Sequence, residues 1–239
     1  MNPKNLTLLK RFSLIILLVL ALTGLAAVAV SFSRQLACEG QLINNNVNPT
    51  TPQQIAGDRI IGQSFVAPRP NLNRIDLFFQ TYGRKNTHDV TLRLLAAPEN
   101  GSNPLQGLEL YRTTFNAADV SDLSWRTFTF PPIPDSGGKP YFIALESPQS
   151  TEGNAVTVGG IERDVYTAGS AFLGPVPVPA DITFRTCYAL SIAEKLSILG
   201  QQLIKNRPSL WGDLRFYLLL LLLYLLILLG IFVKLIKMV

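Results

Sequence analysis

The sequence predicts a mainly β protein: an antiparallel β-sandwich of the jelly-roll type, with one transmembrane α-helix at each end. Three observations predict it. Phe12 to Phe32 contain no charge in 21 positions, and Phe216 to Val233 contain none in 18. At about 1.5 Å per helical residue these runs reach about 31 and 27 Å, close to the thickness of a bilayer's hydrocarbon core. Between them, short stretches rich in β-branched and aromatic residues alternate with turn residues. The formal net charge of +5, finally, comes wholly from the two ends. Only 15% of the 239 residues are charged, where a soluble domain usually has about a quarter. Disorder, a collagen-like fibre and a purely soluble cytosolic enzyme are therefore poor readings.

The N-terminal tail, residues 1–11, carries Lys4, Lys10 and Arg11 and no acid; the C-terminal tail, 234–239, carries Lys234 and Lys237 and no acid. The remaining 16 cations balance 16 acids between Arg34 and Arg215. Short, purely basic flanks mark cytoplasmic ends, so both termini are expected in the cytoplasm. The neutral middle is then extracytoplasmic, in a two-pass protein of the plasma membrane. The charge is a topology signal and gives no reason to expect a nucleic-acid partner.

The first apolar run, residues 12–32, reads as an uncleaved helix by its length. Its alternative is a cleaved signal peptide, imitated by Lys10-Arg11, the apolar core and Ala27-Val28-Ala29. A lipobox is disfavoured because Cys38 lies well beyond the apolar stretch. Gly24, Ala27 and Ser31 fall on one helical face and leave room for a close neighbour. That neighbour is either the protein's own second helix or another membrane subunit. Residues 33–58 follow as a linker, with Asn44-Asn45-Asn46 and a proline-containing run between Gly40 and Thr51.

The sandwich is expected over 59–188. Its candidate strands are Ile60–Val66, Arg74–Thr81, Asp89–Ala96, Glu109–Phe115, Arg126–Phe130, Tyr141–Glu146, Ala155–Val158 and Ile182–Tyr188. The turns between them carry Pro68-Arg69-Pro70-Asn71, Gly83-Arg84-Lys85-Asn86, Pro98-Glu99-Asn100-Gly101, Pro131-Pro132 and Asp135-Ser136-Gly137-Gly138. In the fifth strand Arg126, Thr127 and Thr129 are set against Trp125, Phe128 and Phe130, giving one wet and one buried face. Eight strands with no amphipathic helix between them indicate a sandwich. Cys38, just before the first of these strands, and Cys187, in the last, are expected to meet across the base as a disulfide, which an extracytoplasmic location permits; the alternative is two unpaired thiols.

From Ala189 to Lys205 the period becomes helical, with Ala189, Ile192, Ala193, Leu196, Leu199 and Leu203 on one face. This juxtamembrane segment, 189–207, either lies on the outer membrane surface or packs under the sandwich. Pro208 redirects the chain, and residues 208–233 form an interfacial turn and the second membrane helix, with Trp211, Tyr217 and Lys234 suited to the interfaces.

The string Gly62-Gln63-Ser64-Phe65-Val66-Ala67, then Asn71-Leu72, Ile75-Asp76 and Tyr82-Gly83-Arg84-Lys85-Asn86-Thr87, resembles bacterial galactose-binding-like, carbohydrate-module-like sandwiches. Trp125 to Phe130, Lys139-Pro140-Tyr141-Phe142 and Leu145-Glu146-Ser147-Pro148 continue the pattern, over about Arg59 to Tyr188. The resemblance implies a jelly-roll fold, attachment to a membrane protein and, in some cases, service to an envelope glycosyltransferase. It carries over no catalytic residue. It also implies that a structural calcium could draw on Asp58, Asp164 or Asp181; no other cofactor is expected. Sugar-binding aromatics would come from Tyr82, Tyr111 and Trp125, with Tyr141 and Tyr166 as further material. Tyr82 and Arg84, in a loop after a strand, are the better-placed pair, and Trp125 reads more as core than as platform.

Signals for catalysis are thin. His88 is the single histidine, in a turn, and no Gly-x-Ser-x-Gly elbow is present. Asp76, Asp89, Glu146, Glu152 and Asp164 carry no mark that separates an acid/base pair from ordinary acids. Asp135 to Lys139 lacks the spacing of a phosphate loop. Two cysteines and one histidine are too few for the usual zinc site. The expectation is a non-enzymatic accessory or scaffolding subunit of a larger bacterial membrane complex, contacting the bilayer and other membrane proteins. A carbohydrate-binding module is the alternative, and an envelope hydrolase a distant one.

Overall fold

Antiparallel pairing organises the chain between its two cysteines. The computed structural model describes residues 16, 19–20, 23–24, 26–31, 33, 37–40, 53–98, 103–205 and 207–238. The expected linker around Asn44-Asn45-Asn46, the turn at Glu99-Asn100-Gly101 and the N-terminal tail lie outside the described residues. The chain divides into a β unit, Cys38–Ala189, and a helical unit made of the residues on either side of it.

The β unit holds β1 (Cys38–Gly40), β2 (Gln53–Gln54), β3 (Gly57–Val66), β4 (Leu72–Gln80), β5 (Asp89–Ala96), β6 (Leu108–Asn116) and β7 (Ser124–Ile133). It continues with β8 (Pro140–Ser147), β9 (Thr157–Val158), β10 (Gly160–Ile161), β11 (Ala171–Leu173), β12 (Val176–Val178), β13 (Asp181–Ile182) and β14 (Phe184–Tyr188). In the first sheet β7 pairs with one edge of β4. The other edge of β4 is shared, by β14 over Leu72–Leu77 and by β9 at Phe79 and Gln80. β1 continues the sheet beyond β14, and β2 beyond β9. The second sheet runs β12-β11-β3-β8-β5-β6, and β10 and β13 form a two-stranded ribbon.

The two sheets face each other across one apolar core, as a sandwich requires. Ile75, Leu77, Phe79, Phe128 and Phe184 come from the first sheet; Ile61, Phe65, Leu92, Leu94, Ile143 and Leu145 come from the second, and all are buried. Rings touch across the layers: Phe65 and Phe184 have centroids 5.6 Å apart, and Phe79 and Phe115 5.8 Å. Alternation along β3, β4, β5 and β8 places these side chains on one face, because successive strand residues point to opposite sides.

The outer face of the second sheet has a smaller apolar cluster, Leu95, Phe142 and Ala144, covered by Ile60, Leu105 and Phe172. Gly62 lies beneath the Phe142 ring, where a Cβ would overlap the ring and stand 2.9 Å from the Ile143 carbonyl oxygen. Phe142 is fully buried and has no room to swing away. Gly62→Ala is therefore expected to destabilise the sandwich by about 1–3 kcal/mol, the usual cost of overpacking, measurable as a lower urea midpoint with unchanged m-value.

Each of the eight expected runs contributes to a strand, but three details differ. Pro131 and Pro132 belong to β7 and do not end it. Among the described residues β7 is an edge strand paired only with β4, and its register jumps where Leu72 faces Ile133 and Arg74 faces Thr129. Prolines are accommodated at such an edge irregularity because no ladder N–H is required there. Trp125 points with Thr127 and Thr129, while Arg126 lies on the side of Phe128, its guanidinium 4.2 Å from the Phe115 ring centroid. A strict period of two forces this parity, so the expected grouping of Arg126 with the threonines and of Trp125 with the phenylalanines is corrected. Finally, β1, β2 and β10 to β12 add strands of two or three residues, too short to leave a periodic signal.

In the helical unit, α1 (Ile192–Ile204) starts later than the sequence period suggests, because the Ala189 N–H is already bonded to the Asn71 carbonyl at 2.8 Å. A capping box fixes its start: the Ser191 hydroxyl accepts from the Glu194 N–H, and the Glu194 carboxylate accepts from the Ser191 N–H. The Ser191 hydroxyl also donates to the Glu194 carboxylate, and that bond, with the one from the Ser191 N–H, holds Glu194 below the usual carboxylate range. Gly200 of α1 is buried against Leu214, the first residue of α2 (Leu214–Met238). Lys195 Nζ donates to Ser33 Oγ at 3.0 Å, which ties α1 to the first helical segment. The backbone of α2 is helical over 25 residues. The part whose side chains are described without a break, 214–227, rises about 21 Å. Among the described residues no helix is long and apolar enough to cross a membrane.

Candidate functional site

The outer face of the first sheet concentrates the unusual chemistry of the β unit. Directly paired residues share a face, so Thr127 of β7, Asp76 of β4 and Arg185 of β14 form one row across it. The neighbouring rows are Thr129, Arg74 and Cys187, and then Trp125 and Phe78. Cys187 is joined to Cys38, which faces it in β1, so a disulfide borders this surface.

Asp76 is only 3% exposed although it lies on the outer face. One of its oxygens accepts from Arg74 Nη2 at 3.0 Å and the other from the Thr127 hydroxyl at 2.8 Å. The same Arg74 nitrogen is 3.4 Å from Cys38 Sγ. Arg185 reaches across β4 and lays its guanidinium 3.7 Å from the Trp125 ring centroid, while Phe78 meets that indole edge-on at 5.5 Å. A guanidinium over an indole gains about 0.5–2 kcal/mol, more as water is excluded. Burial pulls Arg185 down from the usual arginine range, and the nearby positive charge of Arg74 adds to this while Asp76 opposes it. Two cations thus stand over one carboxylate.

A second group forms in the loop after β4. Tyr82 takes a φ of 54° and Gly83 a φ of 70°, so two successive left-handed residues turn the chain. The N–H groups of Thr81 and Tyr82 converge on Asp122 Oδ1 at 2.6 and 3.2 Å, and the bond from Thr81 is the main reason that Asp122 lies below the usual carboxylate range. Tyr82 is half exposed, with the Arg84 guanidinium 5.3 Å from its ring centroid. Arg84 also acts as a strut, donating to Thr157 Oγ1 of β9 at 2.9 Å and to the Gln54 amide oxygen of β2 at 2.8 Å.

The expected ligand residues therefore separate. Tyr82 and Arg84 stand together in the loop. Trp125 is half-buried on the outer sheet face with one ring face covered by Arg185, and so is neither core nor an open platform. Tyr111 packs on Phe130 at 5.1 Å, at the rim of the core. Of the other aromatics considered, Tyr141 and Tyr166 are buried.

The other acids considered and the histidine lie elsewhere. Glu146 is 3.8 Å from Arg93 and 4.0 Å from Arg112, in a surface network that also holds Glu109. Asp89 accepts from Asn116. Glu152 and Asp164 are exposed, and His88 is half-buried in the loop before β5. Of the residues considered for calcium, Asp58 and Asp164 are exposed, whereas Asp181 is buried with its oxygens bonded to N–H donors. Among the described residues no group of three His, Cys, Asp or Glu side chains is placed to hold a metal ion.

Arg74, Thr127 and Arg185 were not singled out from sequence as site residues, and Asp76 stood there only among five undistinguished acids. Period-two parity was the available signal, since Arg74 and Asp76 alternate with Ile75 and Leu77, and Trp125 with Phe128. The pairing of β4 with β14, more than 100 residues later, carries no such local mark. No protein-family model matches the chain, and no curated protein matches it.

Proposed function

We propose that the chain is a two-pass, non-enzymatic subunit of a membrane complex, whose disulfide-closed jelly roll stands outside the cell membrane and works through protein contacts. The observation that carries this reading is the surface of α2. Leu218 to Ile227 are each between 45 and 65% exposed, on every side of the helix. A helix apolar all round needs lipid or protein around it, and the uncharged run to which it belongs continues to Val233. The Cys38–Cys187 bond agrees with an oxidising compartment for the sandwich. Ile192 and Leu196 of α1 are 78 and 61% exposed, as an interfacial helix would have them.

The first helical segment supports the contact role. Gly24, Ala27 and Ser31 are exposed, and among the described residues nothing lies within 4 Å of where a Cβ on Gly24 would be. A small-residue face with open space before it suits another subunit's helix. Native purification of the full chain from membranes in mild detergent, followed by mass spectrometry, is expected to recover a partner in fixed stoichiometry. A monodisperse monomer without companions would overturn the reading.

The exposed Tyr82 beside Arg84 favours a second reading, a carbohydrate-binding module. Binding of the full chain to a glycan array, lost in Tyr82→Ala, is the outcome that would put it first.

A further inference from the structure

We propose that the outer face of the first sheet is a protein-docking surface, anchored by Arg185 on Trp125, which receives an aspartate or glutamate side chain of a partner polypeptide. This rests on the reading of the chain as a protein-contact subunit and names the surface and the chemistry of the contact.

The argument begins with the donors of Arg185. A guanidinium carries five N–H groups in a rigid plane, and among the described residues those of Arg185 reach no hydrogen-bond acceptor and no carboxylate within 4.0 Å. Its Nε is shielded from solvent and without a hydrogen-bond partner, a state shared by the Nε of Arg74 beside it and of Arg84 and Arg93 elsewhere. An arginine on an ordinary surface turns its donors to water at little cost. This one is held over an indole, half-buried, with a long side chain already placed, so a planar acceptor meets a preorganised fork. Carboxylates match that fork with two parallel bonds.

Charge points the same way. Asp76 neutralises one of the two arginines and is committed to Arg74 and Thr127. The cluster keeps one positive charge in a desolvated setting, which an incoming acid would complete.

The occupant follows from the indole. Stacking of a sugar ring needs a free aromatic face, and Arg185 covers one face of Trp125. Trp, Phe and Arg gathered on a sheet face, half-buried and rimmed by Thr127 and Thr129, have instead the composition of the energetic centre of a protein interface.

The test uses the full chain in detergent, with Trp211→Phe as background so that Trp125 is the single tryptophan, and fluorescein-labelled poly-L-glutamate as probe. Anisotropy should show saturable binding accompanied by a change in Trp125 emission. Arg185→Gln should weaken it at least tenfold, Arg185→Lys less, and Lys85→Gln, which removes an exposed cation from the other loop, not measurably. Near-ultraviolet circular dichroism of each variant controls for folding. Equal losses in Arg185→Gln and Lys85→Gln would reduce the effect to general charge attraction and overturn the proposal. Arg185-dependent binding of polygalacturonate without binding of poly-L-glutamate would overturn the polypeptide occupant. Partner recovery from membranes can succeed through the helices while this test fails, so the two failures are distinguishable.

Discussion

Replacing both Cys38 and Cys187 by serine is expected to remove about 2–5 kcal/mol from the stability of the β unit, the range found on loss of a native bridge in a secreted domain. The bridge joins residues 149 apart in sequence, and the chain-entropy model gives about 5 kcal/mol for a loop of that size. Against a total stability of about 5–15 kcal/mol, a loss of this size is a large share. β1 has three residues; among the described residues its backbone pairs only with β14, and Glu39 adds an ion pair with Arg69. Urea unfolding of the full chain in detergent, oxidised against reduced and against the double serine variant, measures the effect. A midpoint shift equivalent to less than about 1 kcal/mol would contradict the covalent closure of the unit.

The second large effect is expected at Asp181. This carboxylate is 3% exposed and accepts three hydrogen bonds: from Gln63 Nε2 at 3.0 Å, and from the N–H groups of Val165 and Tyr166 at 2.8 Å each. Gln63, itself fully buried, completes the link by accepting from the Ile182 N–H at 2.9 Å. Asp181→Ala would remove the acceptor of three bonds, two of them buried, while Gln63 Nε2 would keep its bond to the Ser64 carbonyl. At about 1–3 kcal/mol for each buried bond, the loss should be at least about 2 kcal/mol. Asp181→Asn should cost less, because its amide oxygen can still serve the two backbone donors while its NH₂ opposes that of Gln63. Thermal melts of the two variants should fall in that order.

The same residue gives a pH dependence of known sign. Burial pushes Asp181 above the ordinary carboxylate range, and its three donors only partly offset this. The folded state therefore binds this proton more tightly than the unfolded state does. Its contribution to stability falls as pH rises from the ordinary aspartate range to the raised folded value, and is constant above it. In Asp181→Asn this acid-side slope should be absent.

Much of the sandwich could be read from sequence, because alternation and turn residues are local. β5 falls on the expected residues, β3 extends its run by three residues at the start, and β6, β7 and β8 extend theirs by one to three residues at each end. Trp125 shows the limit of an apolar-in, polar-out rule: its size suggested the core, yet strand parity set it on the outer face beside threonines. The links that define the candidate surfaces are long-range. Gln63 meets Asp181 118 residues later, and Arg185 reaches Trp125 across β4. Such contacts depend on strand order and register, which no short window of residues encodes.

The placement of the Cys38–Cys187 bridge has a mechanical corollary. The chain passes into the sandwich at Cys38 and leaves it within two residues of Cys187. Tension on the two flanking segments is therefore carried from one to the other through a covalent shortcut. The sheets hang from that link like a loop from a knot, and a tug on either tether leaves their hydrogen-bond ladders unloaded.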